Sequence, residues 1–189
     1  MRRTGILIAM ILTLLTPGPG ARAQKPADTS EDLVKAGLLY NFAIYVTWPT
    51  SAWPSADSPI MNCVMGDDSF AATLSGVVAP KKINSRNLAV RKVRWSKDVK
   101  DFKDCTLLYI ASSEAAHGDD VIQMLKGAPI LTVADFPDFT KHGGLINFFL
   151  EDSRVRFEVN TEAAKQSDLA ISSQMLIRAK IVPTALGWR

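Results

Sequence analysis

From Glu31 to Val46 the apolar residues Leu33, Val34, Leu38, Leu39, Phe42, Ala43 and Val46 recur at helical spacing, with Thr29 or Ser30 placed to cap the start. Trp48-Pro49 stops the pattern. Ile60 to Met65 is a short apolar run ending in Gly66-Asp67, the signature of a strand followed by a turn, and Ser69 is placed to cap a helix from Phe70 to Val78. Leu88 to Val93 alternates and predicts a second strand; Thr106 to Ala111, apolar on both faces, predicts a third. Beyond Ser112-Ser113-Glu114 the pattern predicts a helix over 119–126 and a strand over 129–134 that ends at Asp135. Two further strands follow, 145–150 and 154–160. In the second, Val155, Phe157 and Val159 take one side while Arg154, Arg156, Glu158 and Asn160 form a polar face. Helical patterns at 161–167 and 172–182 close the chain.

Strands alternating with helices predict an α/β fold, a three-layer sandwich whose mainly parallel sheet is covered by helices on both faces. The last two strands are joined too closely for a parallel crossover. They are therefore expected to form an antiparallel edge hairpin.

The first residues form a separate class. Arg2 and Arg3 precede an apolar run of 12 residues from Thr4 to Leu15, and Ala21-Arg22-Ala23 follows as a small-residue cleavage site. This is the three-part pattern of a secretory signal, expected to be removed after residue 23 and to leave one domain over 24–189. The apolar run is too short to span a bilayer, which takes about 20 residues. A periplasmic, soluble protein is the expected product, with no direct membrane insertion. The removed stretch holds three arginines and no acid, so the remaining 19 basic residues balance 19 acidic ones. Without a basic field, nucleic acid is a poor candidate partner.

In an oxidising compartment the two cysteines, Cys63 and Cys105, are expected to form a structural disulfide, as they lack a C-x-x-C spacing and have no nearby His. The search for reactive chemistry gives negatives. Dinucleotide, phosphate-loop and hydrolase fingerprints are absent. His117 and His142 sit in polar turns, and the acidic pairs Asp67-Asp68, Asp119-Asp120 and Glu151-Asp152 lie where carboxylates cap helices or stay solvated. No metal, no cofactor and no catalytic residue are expected. Asp67, Ser112, Ser113, Glu114 and Asp135 all follow the carboxyl ends of predicted parallel strands, the edge at which open α/β sheets bind ligands, so a small-molecule sensor is an alternative. The aromatic stretch around Phe42 and Tyr45 fits a core; Tyr40, Trp48 and Trp53 are candidates for partial exposure.

The segment from Val34 to Phe42, followed by Tyr45 and Trp48-Pro49 and then by Cys63-Val64-Met65-Gly66-Asp67-Asp68-Ser69-Phe70, resembles the opening of the YfiR family. Ile130 to Asp135, Gly143 to Phe148, Val155 to Asn160 and Ile171 to Leu176 continue the resemblance in order over nearly the whole remaining chain. The resemblance implies a periplasmic regulator, not an enzyme. Such a protein binds the periplasmic sensor domain of an inner-membrane diguanylate cyclase and represses it, limiting cyclic di-GMP and biofilm formation. It further implies release through redox change or sequestration by an outer-membrane-associated lipoprotein, a Cys63–Cys105 disulfide, and a possible homodimer. A second cysteine pair found in well-known members is replaced here by apolar residues. Candidate partner-binding residues are Arg154, Arg156, Glu158 and Asn160 on the polar face of the hairpin, with Ser172 and Ser173 at the start of the last helix.

Overall fold

The computed structural model describes residues 29–183. The expected signal segment and its cleavage site lie outside the described residues. The first helix, α1 (Thr29–Tyr45), turns Ala36, Leu39, Phe42 and Ala43 inward. Its apolar pattern is wider than its buried stripe: Leu33, Val34 and Ile44 are on the far side and exposed. Trp48, a candidate for exposure, is buried, and its indole N–H donates to the Thr106 carbonyl at 3.2 Å.

Among the described residues the main sheet has eight strands. In chain order they are β2 (Ile60–Met65), β3 (Lys82–Ile83), β4 (Arg86–Val93), β5 (Leu107–Ile110), β6 (Leu131–Ala134), β7 (Ile146–Glu151), β8 (Arg154–Val159) and β10 (Lys180–Ile181). A separate antiparallel pair joins β1 (Val46–Thr47) to β9 (Ala170–Ile171). Across the main sheet the order is β10-β8-β7-β6-β5-β2-β4-β3, and the run from β4 through β2, β5 and β6 to β7 is parallel. β5 and β6 are buried along their whole length, as expected of strands covered on both faces.

Helix α1 and α2 (Asp68–Val78) cover one face, joined by α4 (Thr161–Gln166). Helix α3 (Gly118–Met124) and the 94–105 segment cover the other. The Cys63–Cys105 disulfide is formed and lies in this second core beside Phe102 and Leu108. The three-layer α/β sandwich is therefore observed.

Three local expectations are corrected. Helix α2 is capped by Asp67, whose carboxylate accepts from the Phe70 N–H at 2.9 Å; Ser69 instead supports the cap by donating to the same oxygen. The β7–β8 hairpin is antiparallel as expected, but β10 lies outside it, pairing in parallel with Glu158 and Val159. The helix expected over 172–182 is only one turn, α5 (Ser173–Leu176). The bare edge of β8 offers backbone partners that a longer helix would leave unmet, and the Val182 N–H donates to the Val159 carbonyl at 2.9 Å.

Candidate functional site

The parallel order places β2 and β5 side by side while the chain leaves them in opposite directions, to β4 and to β6. The crevice outside the carboxyl ends of the strands opens at this reversal. It encloses about 1100 Å³, and Asp67, Ser112, Ser113, Glu114 and Asp135 all line it, together with Trp95 and His117. Gly66 (φ +89°) makes the turn after β2, and a side chain there would collide with Glu114 and with Ser113 Oγ, so the two strand-end loops are in direct contact. Ser113 Oγ fastens them by donating to the Gly66 carbonyl at 2.9 Å. His117 stacks on Trp95 at 4.6 Å and forms one wall.

Asp135 closes the inner end of the crevice. The Lys35 ammonium of α1 donates to Asp135 Oδ2 at 2.8 Å and reaches Glu31 at 2.7 Å, while the Tyr109 hydroxyl donates to Asp135 Oδ2 at 2.7 Å. Lys35 is only 8% exposed. Burial works to lower its pKa, but the hydrogen bonds to Asp135 and Glu31 outweigh it and hold the ammonium above its ordinary value. Burial, and then the Asp135 charge, push the Tyr109 phenol far up, so Tyr109 stays a neutral donor. Lys35 and Tyr109 received no role in the sequence; the ion pair joins residues one hundred positions apart.

Asp32, next to Glu31 on α1, has its carboxyl pKa raised, first by burial and then by Asp67. Its charged form is therefore disfavoured in the folded state. That penalty is complete above the folded pKa and fades as pH falls towards the ordinary value of 3.8. Asp32→Asn is expected to raise Tm modestly at pH 7, with the gain over wild type shrinking in acid; equal gains at pH 7 and pH 3.5 would refute the electrostatic cause.

The candidate partner residues divide. Arg154 and Arg156 are exposed, and Arg156 Nε lies 3.5 Å from Glu151 across the hairpin. Glu158 and Asn160 are not on a solvated face. Glu158 is buried, accepting from Thr140 Oγ1 and pairing with Lys180 at 3.8 Å. Asn160 is fully buried: its amide donates to the Thr140 carbonyl at 2.7 Å and its oxygen caps α4 by accepting from the Ala163 N–H. The loop carrying Thr140 folds over the second half of β8 and converts its polar face into a lining. Asn160→Ala should cost about 2 kcal/mol, as it removes the α4 cap and one of the two hydrogen bonds to the Thr140 carbonyl, which keeps only the Gly143 N–H at 3.2 Å. Urea unfolding would measure the loss.

Ser172 caps α5 through the Gln174 N–H, and Ser173 is exposed beside it. What the strand pattern did not reveal is the apolar groove next to these residues, about 330 Å³, between α1, β8 and α5. Leu38, Phe42, Tyr45, Phe157 and Met175 line it, and Ile177 stands at its rim with 84% of its surface exposed. Among the described residues no helix is long and apolar enough to cross a membrane, and no group of His, Cys, Asp and Glu is arranged to hold a metal ion.

Comparison with solved structures finds a conserved domain protein from Vibrio cholerae O1 biovar El Tor, 12% identical, with a TM-score of 0.55. The similarity covers 79% of this chain and 59% of that one, so the fold is shared and the chain spans less than two thirds of its neighbour. No curated protein matches. The YfiR/HmsC-like family model matches residues 32–180, from the first turn of α1 to the start of β10. The match takes in the disulfide, the strand-end crevice and the hairpin with its groove, and the chain belongs to the YfiR/HmsC-like family.

Proposed function

We propose that this protein is a periplasmic regulator that binds the periplasmic sensor domain of an inner-membrane diguanylate cyclase and holds it inactive. The family match over residues 32–180 carries this proposal, because regulation of diguanylate cyclases is what the family is known for. The surface supports it. A partner is repressed only by a ligand that prefers its inactive conformation, which calls for a shaped binding face and not a reaction centre. The α1–α5 groove, with Ile177 at its rim and Ser172 and Ser173 beside it, offers apolar anchorage; Arg154 and Arg156, which alternate with the groove's Phe157 along β8, offer charge on the other side of the same sheet edge. Glu158 and Asn160 act behind this face, holding the strand and α4 in place.

Deleting the gene should raise intracellular cyclic di-GMP, and restoring the wild-type chain should lower it again. Arg154→Ala/Arg156→Ala and Ile177→Asp should each stay close to the wild-type Tm, since these side chains are exposed, yet lose most of the repression. Unchanged cyclic di-GMP on deletion under several growth conditions would sink the proposal.

The strand-end crevice favours a second reading, a small-molecule sensor, since the expected residues Asp67, Ser112, Ser113 and Asp135 line one cavity at the topological reversal. A metabolite that raises Tm saturably for wild type but not for Ser112→Trp would support it.

A further inference from the structure

The sheet ends at the opposite edge from the hairpin in the short β3–β4 ribbon. β3 covers only the first two residues of β4: Lys82 faces Asn87 and Ile83 faces Arg86, across a turn whose Asn84 and Ser85 both have positive φ. From Leu88 to Val93 the other side of β4 is fully laddered to β2, yet among the described residues no strand lies beyond it. In a two-residue hairpin the residues flanking the turn exchange hydrogen bonds, so Arg86 turns its N–H and C=O towards β3. By the period of two, Leu88, Val90 and Lys92 turn theirs the same way, outward. The carbonyl of Ala89, which has the opposite parity, accepts from the Asn62 side chain of β2 and so points inward.

The charge of the molecule gathers at this edge. Residues 81–103 hold nine Lys and Arg against two Asp, whereas the rest of the chain holds 13 basic residues against 17 acidic ones. Arg91, Lys92 and Arg94 line a shallow groove of about 440 Å³ along the end of β4, which Asp101 also lines; Arg91 lies 3.8 Å from Asp104 and Lys92 3.2 Å from Asp68, both at the surface. Basic residues on a bare edge prevent a second copy from pairing there, because like charges would stand opposite one another. The same residues attract an acidic strand.

We propose that the open side of β4 is a docking strip for an extended acidic polypeptide segment, which adds as a strand beside Leu88–Val93. Main-chain hydrogen bonds to Leu88, Val90 and Lys92 would supply affinity, and the Arg91–Arg94 groove would select for carboxylates. This surface lies at the opposite edge of the sheet from the proposed cyclase-binding face and does not depend on that assignment.

The test uses the purified chain and a fluorescent eight-residue peptide of alternating valine and glutamate. Three comparisons accompany it: the same peptide with proline in place of every valine, phosphatidylglycerol vesicles, and the Lys92→Glu/Arg94→Glu variant, whose Tm is checked first. The alternating peptide should bind saturably and slow amide exchange at Leu88, Val90 and Lys92 by at least tenfold. The proline peptide should bind at least tenfold more weakly, as should the charge-reversed variant to the alternating peptide. Equal binding of the proline peptide or of the vesicles would mean that the edge is only a site for anions and would overturn strand addition. Absence of binding, or protection at other amides, would overturn it equally.

Discussion

Lys35→Met is expected to destabilise the protein by about 3 kcal/mol or more, the usual cost of removing one partner of a buried ion pair. In a domain of this size that corresponds to a fall in Tm of about 6–12 °C. The cost arises from what is left behind. Among the described residues, Asp135 Oδ2 would keep only the Tyr109 hydroxyl, while Asp135 Oδ1 is already buried without a partner, so a carboxylate would remain inside the fold with one hydrogen bond to carry its charge. Glu31 would lose its partner as well, but more of its surface meets water, so its share of the cost is smaller. The double variant Lys35→Met/Asp135→Asn separates loss of charge pairing from loss of packing. It removes the stranded charge, and should recover more than half of the lost stability. If the double variant is as unstable as the single one, lost packing of the lysine stem and not the stranded carboxylate is responsible.

This group also shows why part of the site could be seen in the sequence and part could not. Asp67, Ser112, Ser113 and Asp135 were legible because apolar runs end just before them, and in a parallel sheet all such ends come to one side. Lys35 was not, because a lysine in an amphipathic helix ordinarily stays in water, and only the fold brings Asp135 to it. The polar face of β8 fails for a related reason. Alternation separates Val155, Phe157 and Val159 from Arg154, Arg156, Glu158 and Asn160 correctly, but it does not tell solvent from an overlying loop. Thr140 supplies the partners that let Glu158 and Asn160 be buried. The last helix was lost to competition: a helical spacing at Met175, Leu176, Ala179 and Val182 is weaker than an unpaired strand edge that Lys180 and Ile181 complete. The α1–α5 groove depends on that same shortening, since Ile177 reaches its rim only because α5 ends at Leu176.

Removing the disulfide by Cys63→Ala/Cys105→Ala is the other change expected to have a large effect. The bridge joins residues 42 apart in sequence, and the chain-entropy model gives about 4 kcal/mol for a loop of that length. The corresponding fall in Tm is about 8–16 °C. The bridge ties β2 to Cys105, two residues before β5, and these two strands are neighbours on either side of the topological reversal. In the unfolded chain, by contrast, it holds together a segment that includes α2, β4 and the whole 94–104 crossover. Its main action is therefore on the unfolded state, and that makes a second, independent expectation. An unfolded chain freed of the loop exposes more surface, so the urea m-value of the double variant should rise as its midpoint falls. Cys63 and Cys105 are almost wholly buried beside Phe102 and Leu108, so two alanines also leave a small cavity, which lowers the midpoint without altering m. A lower midpoint with an unchanged m-value would assign the loss to packing. A loss below about 1 kcal/mol would mean that the β2–β5 pairing and its core hold this part of the sheet without the covalent link.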